Sequence, residues 1–321
     1  MKPVFLAAVG VSASLASTAA MAQAVGVATG PQASLTNRMG AAIAKVIADK
    51  GGLNSRAIPH TSNGHAIPLV DKGNIAYGLG STGDLNAAST GTGHFKGRKA
   101  SSNWVLVARL APLPVGTIVK KSSPYKTLKD LKGKTYPIGF TAHQTVIPIL
   151  NGFVANAGMK PSDFQGVPVP NTHNAMQQFL KGSVEGTLSS LGGGRLRTAD
   201  AKVGGIRILG MDEAPEAVKA MQAAYPNSYL IELKPSKARP GVEKPIKVMA
   251  FDMFLTSSKK TSAETVYKTV KALHENKPEL VKISGVYRAF EPNNMSPAFT
   301  GMEYHPGAIK FYKEKGMWKG K

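Results

Sequence analysis

The residues that could do chemistry in this chain are short polar side chains gathered in turns. Thr29-Gly30, Ser62-Asn63, Ser81-Thr82, Thr141 to Thr145 and Ser189-Ser190 each follow an apolar run that ends like a strand. Hydroxyls and amides are weak catalysts without an adjacent base, but they are good neutral hydrogen-bonding groups. Where a helix begins, they stand beside unpaired backbone N–H groups and the positive end of the helix dipole. That combination suits a carboxylate or a phosphate. His143 and Gln144 add bulkier polar groups to the fourth turn, His173 lies in a further turn, and Arg195 or Arg197 could clamp a carboxylate in bidentate fashion. Any one Ser or Thr here is equally explained as the N-cap of its own helix. Recurrence at several strand ends is what argues for a ligand site.

The signatures of common enzymes are missing. The sequence contains no P-loop lysine motif, no nucleophile elbow and no His-Glu-x-x-His. Gly78-Leu79-Gly80-Ser81-Thr82-Gly83 includes Gly-x-Gly but lacks the long helix and ribose-binding acid of a dinucleotide site. His60 and His65 straddle a turn at a spacing that does not suit a metal. No catalytic residue, metal or cofactor is therefore expected. The competing reading from another class is an exported enzyme that uses His143 as general base.

Strands and helices must hold these turns. The clearest unit is a strand around Tyr136 to Gly139, a polar turn through Thr145, and a helix with Pro148 in its first turn, where a missing N–H does little harm. Val25 to Ala28 begins a similar unit; its helix, Leu35 to Lys50, carries Met39, Ala42, Ile43, Val46 and Ile47 on one face. Residues 58–81 align with 167–190 without a gap, at a constant offset of 109: Ala66 with Ala175, Lys72-Gly73 with Lys181-Gly182, Ser81 with Ser190. Two similar lobes explain that repeat. Trp104 to Leu110 and Val115 to Lys120 are expected as separate strands, with Ala111-Pro112-Leu113-Pro114 crossing between lobes. Ser228 to Leu233 is expected to cross back, Asp212 to cap a helix over Pro215 to Ala224, and Thr261 with Glu264 to form a capping box. Alternating strands and helices imply an α/β protein whose parallel sheets bind ligands beyond their carboxyl ends, where the polar turns lie.

Composition sets the class. The 321 residues are 42% hydrophobic and 18% charged, enough apolar content for a large core. There is no cysteine, so neither disulfides nor thiolate metal sites are available. A net charge of +21 favours an anionic partner, yet the lysines are dispersed and no Arg-rich helix or RNA-binding aromatic motif appears, so nucleic acid is not expected. Residues 1–22 resemble a secretory signal: Lys2, an apolar stretch from Val4 to Leu15, and Ala20-Met21-Ala22 before Gln23. The expected destination is a bacterial periplasm.

Thr29-Gly30 in the first turn, Thr61-Ser62-Asn63 before a helix ending in Gly73-Asn74-Ile75-Ala76, and Leu128-Lys129-Asp130-Leu131-Lys132-Gly133-Lys134 before Ile138-Gly139 form a familiar layout. Later come Val266-Tyr267-Lys268 and Leu273-His274-Glu275-Asn276. The chain resembles the TAXI-type solute receptors of tripartite ATP-independent periplasmic (TRAP) transporters. The resemblance implies a two-lobed type II periplasmic-binding-protein fold joined by hinge strands, with residues 23–112 plus 231–321 as lobe 1 and 113–230 as lobe 2. It implies a receptor that closes on a small anionic metabolite, a carboxylate or an amino acid such as glutamate, and delivers it to an ion-gradient-driven permease; a monomer is expected. Delivery to a sensor kinase is an alternative with the same sequence signature. The ligand-binding residues so implied are Thr29, Gly30, Ser62, Asn63, Ser81, Thr82, Thr141, His143, Gln144, Thr145, Ser189 and Ser190, with Arg195 added from its own chemistry. His143 and Gln144 stand where the family has a Gly-Ser-Gly-Thr-like turn, which reshapes the pocket.

Overall fold

A computed structural model of the protein describes residues 24–320, apart from 33, 93–94, 98–102, 192–193, 237–238 and 300. The expected signal segment, residues 1–22, lies outside the described residues. The first group of elements is β1 (Val25–Thr29), α1 (Leu35–Asp49), β2 (Ser55–Pro59), α2 (Asn63–Asp71), β3 (Tyr77–Ser81) and α3 (Thr82–Thr90). A long strand, β4 (Trp104–Lys120), leads to the second group: β5 (Thr135–Gly139), α4 (Val146–Asn156), β6 (Gln165–Val169), α5 (Thr172–Lys181), β7 (Gly186–Ser190), α6 (Gly194–Val203), β8 (Ile206–Ile208) and α7 (Pro215–Ala224). The chain returns through β9 (Tyr229–Leu233) and β10 (Ile246–Ser258), and α8 (Ala263–Glu275), α9 (Lys277–Ile283) and α10 (Pro306–Glu314) follow. Of these, α8 and α9 pack against α1. No helix among the described residues is long and apolar enough to cross a membrane.

The main sheet runs β2-β1-β3-β10-β4-β7, with β8 added to β4 and β9 to β10. β1 pairs in parallel with β2 and β3, as βαβ crossovers require. β5 and β6 form a second parallel pair, and the Glu185 N–H donates to the Thr135 carbonyl (3.0 Å), setting the start of β7 beside β5. The 109-residue repeat is thus structural: α2 starts at Asn63 and α5 at Thr172, while β3 ends at Ser81 and β7 at Ser190. Helix α1 buries Met39, Ala42, Ile43, Val46 and Ile47, the face its spacing predicts. Each large side chain so buried is worth about 1.5–3 kcal/mol over exposure.

Four local expectations are corrected. β4 is one strand of 17 residues, not two. Pro112 and Pro114 are two apart, so their missing N–H groups face the same edge of the strand, and the β10 pairing survives on the other. The return crossing is β10; Tyr229–Leu233 is its antiparallel hairpin partner rather than the crossing. Asp212 accepts the Ala214 N–H (3.0 Å) one residue ahead of α7, whose Pro215 needs no donor satisfied. Ser262, not Thr261, caps α8 by accepting the Thr265 N–H (3.1 Å).

Candidate functional site

The two groups of elements face each other across a cavity of about 110 Å³, and its walls follow from how the helices begin. Ser34 caps α1 by accepting the Asn37 N–H (3.1 Å). Ser62 caps α2 through the His65 N–H (3.3 Å), which leaves Asn63 as the first helical residue. Ser81 and Asp84 cap α3 reciprocally: the Asp84 N–H donates to Ser81 Oγ (3.1 Å), and the Ser81 N–H donates to Asp84 Oδ2 (3.0 Å). Across the cavity, α4 starts after Thr145, α5 starts at Thr172 behind the cap Asn171, and α6 places Arg195 in its first turn. Ser34, Asn63, Ser81, Thr145, Thr172 and Arg195 all line the cavity, so six helix starts converge on it. Each start brings unpaired N–H groups and roughly half a positive charge.

The floor is apolar. Leu113 and Val115 of β4 and Phe251 and Met253 of β10 occupy alternate positions of the two crossing strands and so point to one side. Leu35, Val146, Ile149, Met176 and Leu188 complete the hydrocarbon lining. Behind it, Asp252 faces away and takes two hydrogen bonds from Arg109 (2.7 and 2.9 Å) and one from the Tyr229 hydroxyl (2.7 Å), tying β4, β9 and β10 together at the crossing.

Charge is placed asymmetrically. Arg195 meets no carboxylate and makes no hydrogen bond among the described residues. Burial, and then the charge of Arg38 on α1, pull its guanidinium below its ordinary affinity for a proton. Two cations near each other without a counter-charge disfavour one another's charged form, a cost that an anion between them would offset. His143 is pushed down to about 4, first by burial and then by His65 and Arg195, so it is neutral at neutral pH. Its Nδ1 is buried without a partner, as is Oδ1 of Asn63, which is 8% exposed. Buried polar atoms without partners cost free energy until a ligand satisfies them. Among the described residues the one acid on the cavity wall is Asp84, which is engaged by Ser81 Oγ (2.8 Å); that oxygen in turn accepts from the buried Tyr225 hydroxyl (3.1 Å). Gly83 permits that contact, since a Cβ there would lie 2.3 Å from the Tyr225 oxygen.

Of the residues expected at the site, Asn63, Ser81, His143, Thr145, Ser189, Ser190 and Arg195 line the cavity. Thr29, Gly30, Ser62 and Thr82 do not line it. Thr29 Oγ1 accepts from Asn37 Nδ2 (2.9 Å), and Ser62 is spent on its own cap. Gly30 gives room at the wall: a Cβ there would meet Thr36 Oγ1 at 2.3 Å and Asn63 Oδ1 at 2.8 Å. Thr141 and Gln144 are exposed and outside the lining, as are His173 and Arg197. Residues that sequence reading left out include Thr36, Thr172, Asp84 and the whole apolar floor. The repeat carried a signal for Thr172, which stands 109 positions after Asn63. Among the described residues no group of three or more His, Asp or Glu side chains could hold a metal ion.

With that geometry in hand, the sequence matches the model of the NMT1-like family over residues 27–316. Among solved structures, MatC from Rhodopseudomonas palustris with bound malate matches at 14% identity and a TM-score of 0.55, over 82% of this chain and 88% of that one. The periplasmic aliphatic sulphonate binding protein SsuA from Escherichia coli matches at 14% identity and a TM-score of 0.50, over 93% of this chain and 94% of that one. The alkanesulfonate-binding protein SsuA from Xanthomonas axonopodis pv. citri, bound to MOPS, matches at 14% identity and a TM-score of 0.50, over 92% and 94%. At these identities the likeness establishes a shared α/β periplasmic-binding-protein fold.

Proposed function

The chain belongs to the NMT1-like family, and from that premise we propose that it is an exported solute receptor that captures a small organic anion and hands it to a membrane permease. The observation that carries this reading is Arg195, half-buried in a cavity on which six helix starts converge, with no carboxylate to neutralise it. A carboxylate or sulfonate there would gain charge-assisted hydrogen bonds and helix-start amides together. The similar structures support the class, since MatC holds malate and the SsuA proteins bind sulfonates.

The protein is a binder rather than an enzyme. His143, the base of the competing reading, is neutral, unpaired at Nδ1 and held at about 4, which makes it a feeble proton acceptor at neutral pH. We assign export to a periplasm, a monomeric state and delivery to a TRAP-type permease as a TAXI receptor; the leader-like residues 1–22 and the family layout support these assignments. We place the hinge where β4 Ala111–Val115 pairs with β10 Met249–Met253, which keeps the expected 112/113 boundary and moves the return boundary from 230/231 into β10. Closure about that hinge would bury the ligand.

A thermal-shift screen of carboxylates, sulfonates and amino acids tests the receptor reading, with a rise in Tm expected for at least one anion. A flat response across the panel at saturating dose would contradict it. Uptake into vesicles that carry the permease should stop when the ion gradient is collapsed and persist without ATP; the reverse pattern would exclude the TRAP assignment.

A further inference from the structure

We infer that the ligand is an amphipathic mono-anion, a single acidic group on a compact branched apolar body, rather than a dicarboxylate such as glutamate. This rests on the receptor reading and deepens it. Arg195 is the one Lys or Arg side chain that lines the cavity among the described residues. Arg38 lies close enough to act on Arg195 but is not part of the lining. One acidic group therefore consumes the cavity's cation. The opposite wall offers a second acidic group no cation: its polar groups are the neutral Ser34, Thr36, Asn63 and Ser81, beside hydrocarbon and the Asp84 carboxylate. Leu113, Val115, Phe251 and Met253 form the floor, and Ile149 and Met176 close it from the second group of elements. A second carboxylate pressed there would lose its water without a counter-charge in return, and beside Asp84 it would meet a like charge. A methyl-bearing body would instead gain about fourfold in affinity per buried methylene, equivalent to ~0.8 kcal/mol. The cavity of about 110 Å³ has room for a body of a few carbons.

Pairs of acids with the same shape and different charge test this. 2-Hydroxy-4-methylpentanoate and malate differ by an isopropyl group in place of a carboxylate, as do leucine and aspartate, and 4-methyl-2-oxopentanoate and oxaloacetate. Calorimetry on the mature protein should show the mono-acidic member binding at least tenfold tighter in whichever pairs bind. Met176→Gln should weaken that member and leave the diacid unchanged, whereas Arg195→Gln should weaken both. Equal or tighter binding of the diacids overturns the inference and leaves the receptor reading standing. If none of the six compounds binds, the inference also falls. The receptor reading falls with it only if inorganic sulfate, short-chain sulfonates and a metabolite extract also fail to raise the Tm.

Discussion

The units β2-α2-β3 and β6-α5-β7 are two copies of one backbone plan, yet they bring opposite chemistry to the cavity. The first copy, with the α3 turn that follows it, offers Asn63, Ser81 and the carboxylate of Asp84, locked to Ser81 and through it to Tyr225. The second offers Thr172, Ser189 and Ser190, and the turn after it offers Arg195. Repetition supplies what any anion receptor of this plan needs, helix starts aimed at one point. Side chains just outside the repeat decide charge: acid on one wall, cation on the other. The neutral His143 belongs to the cation's side and comes from the turn before α4.

The largest expected effect comes from removing the cation. Arg195→Gln should weaken anion binding by roughly 10- to 100-fold, the range for hydrogen bonds to a charged partner. The same change should leave the melting temperature of the free protein equal or higher, because burial and Arg38 disfavour the charge in the empty state. A fall in both affinity and Tm would mean that Arg195 holds the fold instead. On the opposite wall, Gly83→Ala should cost stability by about 1–3 kcal/mol, since the new Cβ would meet the buried Tyr225 ring at 2.3–2.5 Å. Urea denaturation reads this directly, and an unchanged midpoint would show that the Tyr225 contact is soft.

The pH dependence separates the walls further. Between its ordinary value of 6.5 and about 4, His143 takes up a proton in the unfolded chain but not in the folded one. Stability should therefore fall as pH drops through that window, with about 1–3 kcal/mol of the loss due to this residue. His60 and His305 are also lowered, mainly by burial, and add slopes of the same sign. His143→Gln should flatten the profile without abolishing it; an unaltered slope would place His143 in a wetter setting than the structure gives it. The smallest effect distinguishes the equivalent positions of the two copies. Asn63→Ala should cost a few-fold in affinity and leave the free protein no less stable, because it removes a buried oxygen that has no partner. Thr172→Ala, at a position with no such orphan, should change both quantities less.

Much of this architecture was legible in the chain. Helical spacing in α1, the punctuation of the repeat and the polar turns all report local preferences that tertiary structure kept. The crossing strands were less legible. Pro112 and Pro114 look like a break until the pairing with β10 reveals which edge they spare. Site membership was legible as far as the turn, and not to the residue. Thr141 and Gln144 share a turn with His143 and Thr145, yet they point to solvent, because their direction depends on how the turn enters α4. The apolar floor was invisible as a site, since Leu113, Val115, Phe251 and Met253 look like ordinary strand interior. The hydroxyls of Thr29 and Ser62 were polar for a local reason, holding α1 and capping α2.

A crystal structure of the mature protein with its tightest-binding acid would show whether Arg195 and the helix starts hold the anion. One acidic group of the ligand is expected in bidentate contact with Arg195, the free lone pairs of its oxygens within hydrogen-bond reach of helix-start N–H groups, and its carbon body on the β4–β10 floor. An acid bound elsewhere on the surface, with the cavity closed by the protein's own side chains, would contradict it.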